Sequence, residues 1–141
     1  MQKSLIIVGI IVLAAIVAYA VLGSQSQQNV EIQSSDINWY TDLNQALGEA
    51  QKSSKPLFID FYTVWCSSCQ QLDKNTLSDP QVKEKLSKDY IPVKIDIDKN
   101  PQLASQYKIY GIPTLVFLNP DGSEIKRYEG YIGPQELLNQ L

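Results

Sequence analysis

The chain has no histidine and only two cysteines among its 141 residues. Without an imidazole it cannot perform Cys-His nucleophilic catalysis or build a copper site that depends on imidazole ligands. Two cysteines cannot complete a four-ligand zinc shell, so only a zinc site shared between chains stays open. Basic clusters are also lacking, because the 12 basic and 15 acidic residues are scattered and give a formal net charge of −3. This charge balance does not favour a nucleic-acid partner.

The two cysteines that are present, Cys66 and Cys69, are separated by Ser67 and Ser68 and preceded by Trp65. If Cys66 opens a helix, Cys69 follows one turn later on the same face, so the two sulfurs can form a disulfide. A helix start also favours the thiolate form of Cys66, which is the reactive form. The spacing therefore predicts a redox-active dithiol. A purely structural disulfide is the alternative, although so short a loop adds little stability.

The N-terminal part has no charged residue between Ser4 and Leu22. At about 1.5 Å per helical residue, this apolar run nearly spans the ~30 Å hydrocarbon core of a membrane. We predict that residues 1–22 form a transmembrane signal anchor. The alternative is a signal peptide cleaved after the small residues of Ala18-Tyr19-Ala20, but the apolar run continues past this site through Val21 and Leu22.

The charges that flank this segment predict its orientation. Lys3 and the amino terminus are positive, whereas the first charges after it are Glu31 and Asp36. The positive-inside rule places the N-terminus in the cytoplasm and the rest of the chain in the periplasm or outside the cell. With cleavage, the protein would instead be secreted. Residues 23–36 are rich in Gln and Ser, which predicts a flexible linker that reaches about 20 Å.

Residues 37–141 alternate helical and strand patterns, which indicates one α/β domain. The apolar spacing predicts helices over 42–52, 70–77, 81–88, 101–107 and 134–141, and strands over 57–62, 91–97, 114–118 and 124–129. A turn over 119–122 joins the last two strands into a hairpin. Asp60 falls inside the first strand, where a carboxylate is costly unless it has a partner or a function.

Three features of this domain, in this order, resemble the thioredoxin superfamily over 42–141. They are Asp60 six residues before Cys66, the motif from Trp65 to Cys69, and Gly111-Ile112-Pro113-Thr114. Within the superfamily, the run from Thr76 to Val82 resembles the C-terminal periplasmic domain of the DsbD thiol:disulfide interchange proteins. The resemblance implies a thioredoxin fold, with a central mixed sheet flanked by helices, and a cis peptide bond before Pro113. It implies no cofactor other than the redox-active disulfide.

The resemblance also suggests roles for the catalytic residues. Cys66 would attack a target disulfide as thiolate, and Cys69 would resolve the mixed disulfide that forms. Asp60, whose pKa burial should raise, would accept the proton of Cys69, directly or through a water molecule. The alternative for Asp60 is a buried carboxylate with a purely structural role.

Three further residues are predicted to bind substrate. The backbone groups of Ile112, next to a cis Pro113, would pair with an extended segment of the target. Trp65 would form an apolar flank of the dithiol, with packing in the core as the alternative. Pro113 has its own alternative, a proline that only ends a loop before a strand.

The sequence departs from thioredoxin between the cysteines, where Ser67-Ser68 replaces Gly-Pro, and it lacks the proline that kinks the next helix. The absence of histidine between the cysteines favours reduction of disulfides over oxidation. We therefore expect a reductase of extracytoplasmic disulfide proteins, fed by a membrane electron donor such as a DsbD-like or CcdA-like transmembrane protein. A disulfide oxidase or isomerase, and a non-catalytic peptide-binding module, remain the alternatives.

Overall fold

A four-stranded mixed sheet forms the centre of the protein in the computed structural model, which describes residues 36–141. The strands are β1 (Leu57–Tyr62), β2 (Ile91–Asp96), β3 (Thr114–Leu118) and β4 (Glu124–Glu129). The helices are α1 (Leu43–Ser53), α2 (Ser67–Gln71), α3 (Pro80–Asp89), α4 (Pro101–Gln106) and α5 (Pro134–Leu138). A π-helical segment, Leu72–Leu77, continues α2.

The sheet has the strand order β2-β1-β3-β4. β1 runs parallel to β2 and antiparallel to β3, and β3 runs antiparallel to β4. A parallel pair requires a long crossover connection, and here α2, the π-helical segment and α3 supply it between β1 and β2. The predicted central mixed sheet with flanking helices is therefore present.

The predicted anchor over 1–22 and the linker up to residue 35 lie outside the described residues. Within 36–141, every helix is too short or too polar to cross a membrane.

The two faces of the sheet carry separate cores, because side chains alternate along a strand. Leu57, Ile59 and Phe61 of β1 pack with α1 on one face. Phe58 packs on the other face with side chains of the π-helical segment, α3 and α5. Asp60 is two residues after Phe58, so its side chain lies on the same face of the sheet. This is the face on which the segment that follows the two cysteines packs.

Local capping explains where two of these helices begin and end. The side chain of Asp42 accepts a hydrogen bond from the N–H of Gln45 at 3.0 Å, which starts α1. Ser54 adopts the left-handed conformation with φ of 55° and ends it. Asp79 accepts hydrogen bonds from two backbone N–H groups at the start of α3, and Pro80 occupies the first turn. The predicted break before α3 is confirmed.

The segment after the cysteines differs from the regular helix predicted over 70–77, because it has wider π-type turns from Leu72 to Leu77. Two tertiary contacts hold it in place. The hydroxyl of Thr76 donates to the carbonyl of Ile132 at 2.7 Å, and Asp73 forms an ion pair with Lys94 of β2. Such contacts with distant residues are not visible in helical periodicity.

The last helix is also shorter than predicted and ends at Leu138. Beyond it, side chains from neighbouring elements bind the final carbonyl groups. Lys126 donates to the carbonyl of Gln140 at 2.6 Å, and Tyr90 donates to that of Leu141 at 3.0 Å. These bonds satisfy carbonyl groups that a longer helix would leave without partners.

Replacing Phe117 by alanine should destabilise the fold strongly. Its ring is 1% exposed and lies 5.3 Å from the ring of Phe58, 6.0 Å from Tyr90 and 6.1 Å from Tyr128. We expect Phe117→Ala to lower the free energy of unfolding by about 3–5 kcal/mol, measured by urea denaturation of the oxidised protein. Ile125→Ala in the same sheet, at a side chain that is 51% exposed, serves as control and should change it by about 0.5 kcal/mol or less. Equal losses in both variants would contradict this account of the core.

Candidate active site

The two cysteines lie at the start of α2 and are joined by a disulfide, with their Cα atoms 5.3 Å apart. Cys66 occupies the capping position of the helix, and its sulfur accepts a hydrogen bond from the N–H of Cys69 at 3.1 Å. Cys66 is 6% exposed and Cys69 is 2% exposed. Cys66, at the helix start, is therefore the more exposed of the two residues, and its sulfur has a backbone donor that a thiolate could use.

The loop before β3 approaches the dithiol from the other side. Its Ile112–Pro113 peptide bond is cis, as the resemblance implied. The hydroxyl of Ser68, which lies 3.4 Å from the sulfur of Cys66, is also 3.5 Å from the carbonyl oxygen of Ile112. Within the loop, Thr114 donates through its hydroxyl to the carbonyl of Gly111 at 2.7 Å. The structure thus brings the predicted loop to the cysteines, with Ser68 between them.

Asp60 lies in the central strand on the face towards the cysteine layer and is 1% exposed. Burial raises the pKa of Asp60 from 3.8 to about 6, although the nearby ammonium group of Lys94 opposes the shift. One carboxylate oxygen is 3.3 Å from the Nζ of Lys94. The other oxygen has no hydrogen-bond partner among residues 36–141. An unpaired buried carboxylate oxygen is a suitable proton acceptor and an unfavourable purely structural element.

Sequence reasoning missed Lys94 and Asp73, which complete this group of charges. Lys94 lies opposite Asp60 in the register of β1 and β2, and it also pairs with the partly exposed Asp73 of the π-helical segment. Both carboxylates favour the charged ammonium, so the pKa of Lys94 is raised although its partial burial opposes the shift. The only signal in the sequence was a lysine between the apolar residues of a predicted strand.

Lys94 is further stabilised by aromatic rings. Its Nζ lies 4.7 Å from the ring centroid of Tyr62 and 5.4 Å from that of Trp39. Trp39, Asp73 and Lys94 line a surface cleft of about 360 Å³. Lys94 therefore links the buried Asp60 to this cleft.

Trp65 does not pack in the core, because 68% of its side chain is exposed. That alternative for Trp65 is therefore wrong. Its indole N–H donates a hydrogen bond to the carboxylate of Asp98 at 2.7 Å, which fixes the orientation of the ring. Val64, on its N-terminal side, and Tyr110, which precedes the loop of Ile112, are exposed as well. The dithiol is thus accompanied by exposed apolar side chains, whereas Pro113 itself is buried.

A disulfide at a helix start and beside a cis-proline loop, in a domain whose central strand carries a buried carboxylate, is the arrangement of a dithiol oxidoreductase centre. The sequence profile of the Thioredoxin-like domain family matches residues 43–141, and the chain belongs to this family. Its sheet and helices form the thioredoxin fold, and the protein is a thiol-disulfide oxidoreductase. The redox-active group is the disulfide of Cys66 and Cys69 itself. Among residues 36–141, acidic and cysteine side chains form no cluster suited to a metal ion.

Several known proteins are similar to this chain. It is 34% identical over 122 residues to the thiol:disulfide interchange protein DsbD of Vibrio cholerae, in an alignment that covers 82% of this chain and 20% of DsbD. It is 39% identical over 89 residues to a thioredoxin-like protein of Synechocystis, covering 63% of this chain and 81% of that protein. The chain thus spans about a fifth of the length of the DsbD relatives that it matches.

Among solved structures, the C-terminal domain of Neisseria meningitidis DsbD in its oxidised form is similar, with a TM-score of 0.62 and 26% identity. The match covers 72% of this chain and 95% of that domain. The expected resemblance to the DsbD C-terminal domain is therefore confirmed.

The raised pKa of Asp60 predicts a pH-dependent stability. Between about pH 4 and about pH 6, the folded protein keeps a proton that the unfolded chain has lost, so stability falls as the pH rises through this window. Asp60→Asn should remove this loss and stabilise the oxidised protein by about 3 kcal/mol at about pH 8, with little gain at about pH 4. Urea denaturation of both proteins across this range measures the effect.

The matched control is Asp89→Asn, which replaces a half-exposed carboxylate on α3. It should shift stability only slightly at every pH. If the difference between Asp60→Asn and the parent protein did not change with pH, the raised pKa of Asp60 would be wrong.

Proposed function

We propose that the protein is a membrane-tethered, extracytoplasmic reductase of protein disulfides. The observation that carries this proposal is the Cys66–Cys69 disulfide at the start of α2, in a domain whose central strand holds a buried carboxylate with one oxygen that finds no hydrogen-bond partner among residues 36–141. The similarity to DsbD of Vibrio cholerae supports a role in thiol:disulfide interchange. The absence of histidine between the cysteines supports reduction as the direction.

In the proposed reaction, the thiolate of Cys66 attacks one sulfur of a target disulfide. A bond forms between Cys66 and that sulfur, and the other target sulfur leaves as a thiolate and takes up a proton. Cys69 then transfers its proton to Asp60, directly or through a water molecule, and attacks the sulfur of Cys66. The first target sulfur leaves, so the target has gained two electrons and the Cys66–Cys69 pair is oxidised.

Substrate binding would use the surface around the dithiol. The backbone of Ile112 lies beside Ser68 and Cys66, at the distances given above, which suits pairing with an extended segment of the target. Trp65 contributes an exposed ring whose orientation is fixed by Asp98. Aromatic rings held in this way provide large contact areas with little loss of conformational entropy.

The location is supported by the sequence alone. The uncharged run from Ser4 to Leu22 and the positive Lys3 favour an anchor with the domain in the periplasm or at the cell exterior. A reductase outside the cytosol needs a supply of electrons, because its surroundings are oxidising. We therefore include a membrane electron donor, a DsbD-like or CcdA-like transmembrane protein, in the proposal.

Trapping of mixed disulfides tests both the function and the partners. Cys69→Ala in the full chain removes the resolving thiol, so complexes formed through Cys66 should accumulate in cells. We expect two kinds of trapped protein: extracytoplasmic proteins with disulfides, and a membrane protein that supplies electrons. Non-reducing electrophoresis followed by mass spectrometry identifies them.

The control variant carries both Cys66→Ser and Cys69→Ala and should trap nothing. Direction is measured separately from the equilibrium of the parent protein with glutathione. We expect a reduction potential nearer to the value of about −270 mV of thioredoxin than to the value of about −120 mV of a strong oxidant such as DsbA. A potential near the latter value, with no reduction of protein disulfides by the reduced parent protein, would indicate an oxidase.

If Asp60 accepts the proton of Cys69, its replacement should slow the attack of Cys69 on the mixed disulfide. Asp60→Asn should slow the release of a target from its mixed disulfide with Cys66 by about a hundredfold near neutral pH, because Cys69 loses its proton acceptor. In the parent protein the same rate should fall as the pH drops below about 6, where Asp60 becomes protonated. Rapid quenching and separation of a preformed mixed disulfide gives the rate. Asp89→Asn should keep the parental profile, and an Asp60→Asn variant with that same profile would remove the acid-base role.

A further inference from the structure

The two serines between the cysteines occupy different environments. Ser67 is exposed, and its side chain has no hydrogen-bond partner in the part of the chain that the structure describes. Ser68 is partly buried, and its hydroxyl oxygen lies 3.4 Å from the sulfur of Cys66 and 3.5 Å from the carbonyl oxygen of Ile112. One hydroxyl proton therefore has two acceptors within reach, and it can serve only one at a time.

The redox state decides which acceptor is stronger. In the oxidised protein the sulfur of Cys66 is a neutral disulfide sulfur, which is a poor acceptor, so the carbonyl of Ile112 is favoured. In the reduced protein a Cys66 thiolate carries a negative charge, and hydrogen bonds to charged acceptors are about twice as strong as neutral ones. The hydroxyl needs only to rotate about its C–O bond to follow this change.

We propose that Ser68 is a further catalytic group, whose hydroxyl donates a hydrogen bond to the Cys66 thiolate in the reduced protein and turns to the Ile112 carbonyl in the oxidised protein. This inference rests on the proposed function, in which Cys66 is the attacking thiolate. Cys66 is largely buried, so water can solvate its charge only in part. Ser68 and the N–H of Cys69, at 3.1 Å, together supply two donors to the same sulfur.

This change of acceptor by the Ser68 hydroxyl also links the redox state to substrate binding. When the hydroxyl of Ser68 turns to the thiolate, the carbonyl oxygen of Ile112 loses its intramolecular donor. That oxygen is then free to accept a hydrogen bond from a backbone N–H of the incoming target. When the disulfide forms, the hydroxyl competes for this oxygen again, which favours release of the reduced product.

The two serines provide a matched pair of variants for the test. In the reduced full-length protein, the ultraviolet absorbance of the thiolate is followed against pH for Ser68→Ala, Ser67→Ala and the parent. We expect the titration midpoint of Cys66 to rise by about one pH unit in Ser68→Ala, because the thiolate loses a charge-assisted hydrogen bond. Ser67→Ala should stay within about 0.3 units of the parent, and Ser68→Thr, which keeps the hydroxyl, should restore most of the shift.

The equilibrium with glutathione gives an independent readout. Above the titration midpoint, Ser68→Ala should favour the disulfide form about tenfold more than the parent, which corresponds to about 30 mV. In Ser68→Ala the carbonyl of Ile112 has no competing hydroxyl in either redox state, so the oxidised variant should hold a reduced target peptide more tightly than the oxidised parent does, without an equal change for a small thiol.

Equal midpoints and equal glutathione equilibria in all four proteins would overturn the role of Ser68. Equal shifts in Ser67→Ala and Ser68→Ala would also overturn it, since the effect would then be a general one of the helix start. These outcomes are distinct from failure of the proposed function. In that case the parent itself would reduce no protein disulfide, while the midpoints would still report on Ser68.

Discussion

Asp60 cannot leave the interior without breaking the sheet, because β1 is hydrogen-bonded to β2 on one side and to β3 on the other. Its carboxylate is held in an environment of low polarity, and desolvation raises its pKa to about 6 in spite of the adjacent Lys94. The value lies near neutral pH, where a carboxyl group can both accept and release a proton. Lys94 limits the desolvation cost, and by binding Asp73 as well it ties the central strand to the π-helical segment. Lys94 thus connects the buried carboxylate to the segment that follows the two cysteines.

The alternation of β1 determines which layer receives the carboxylate. Asp60 shares the face of Phe58, and the helices that follow Cys69 pack on that face through Leu72 and Leu77. The crossover from β1 to β2 therefore brings the dithiol to the same side of the sheet as the carboxylate. The loop before β3 meets it there because β3 is the other neighbour of β1. Three segments that are distant in the sequence converge as a consequence of one strand order.

The sequence was sufficient to identify Cys66, Cys69 and Asp60 as candidates. The two cysteines have the spacing of a redox pair, and Asp60 is a carboxylate inside an apolar strand. The bounds of β1 and the start of α3 were also predicted well, because an apolar run marks the strand and the Asp79-Pro80 pair marks the helix start. Lys94 and Asp73 were not found, since their contacts depend on the register between strands and on the path of the crossover. The exposure of Trp65 was equally unpredictable, because an aromatic residue next to a buried strand is compatible with either environment. Ser68 was seen only as part of a dipeptide, and its separate contacts required coordinates.

These differences separate the chemistry of the site from its recognition surface. The groups that break and form bonds are buried, and their geometry follows from the sheet, so similarity to other members of the family informs them well. Trp65, Val64 and Tyr110 are exposed and owe their positions to loops and, for Trp65, to one hydrogen bond with Asp98. Exposed aromatic residues often dominate the binding energy of protein interfaces. Under the proposed function, the choice of partner would depend on residues that the fold does not constrain, whereas the exchange of a disulfide would depend on residues that it constrains tightly.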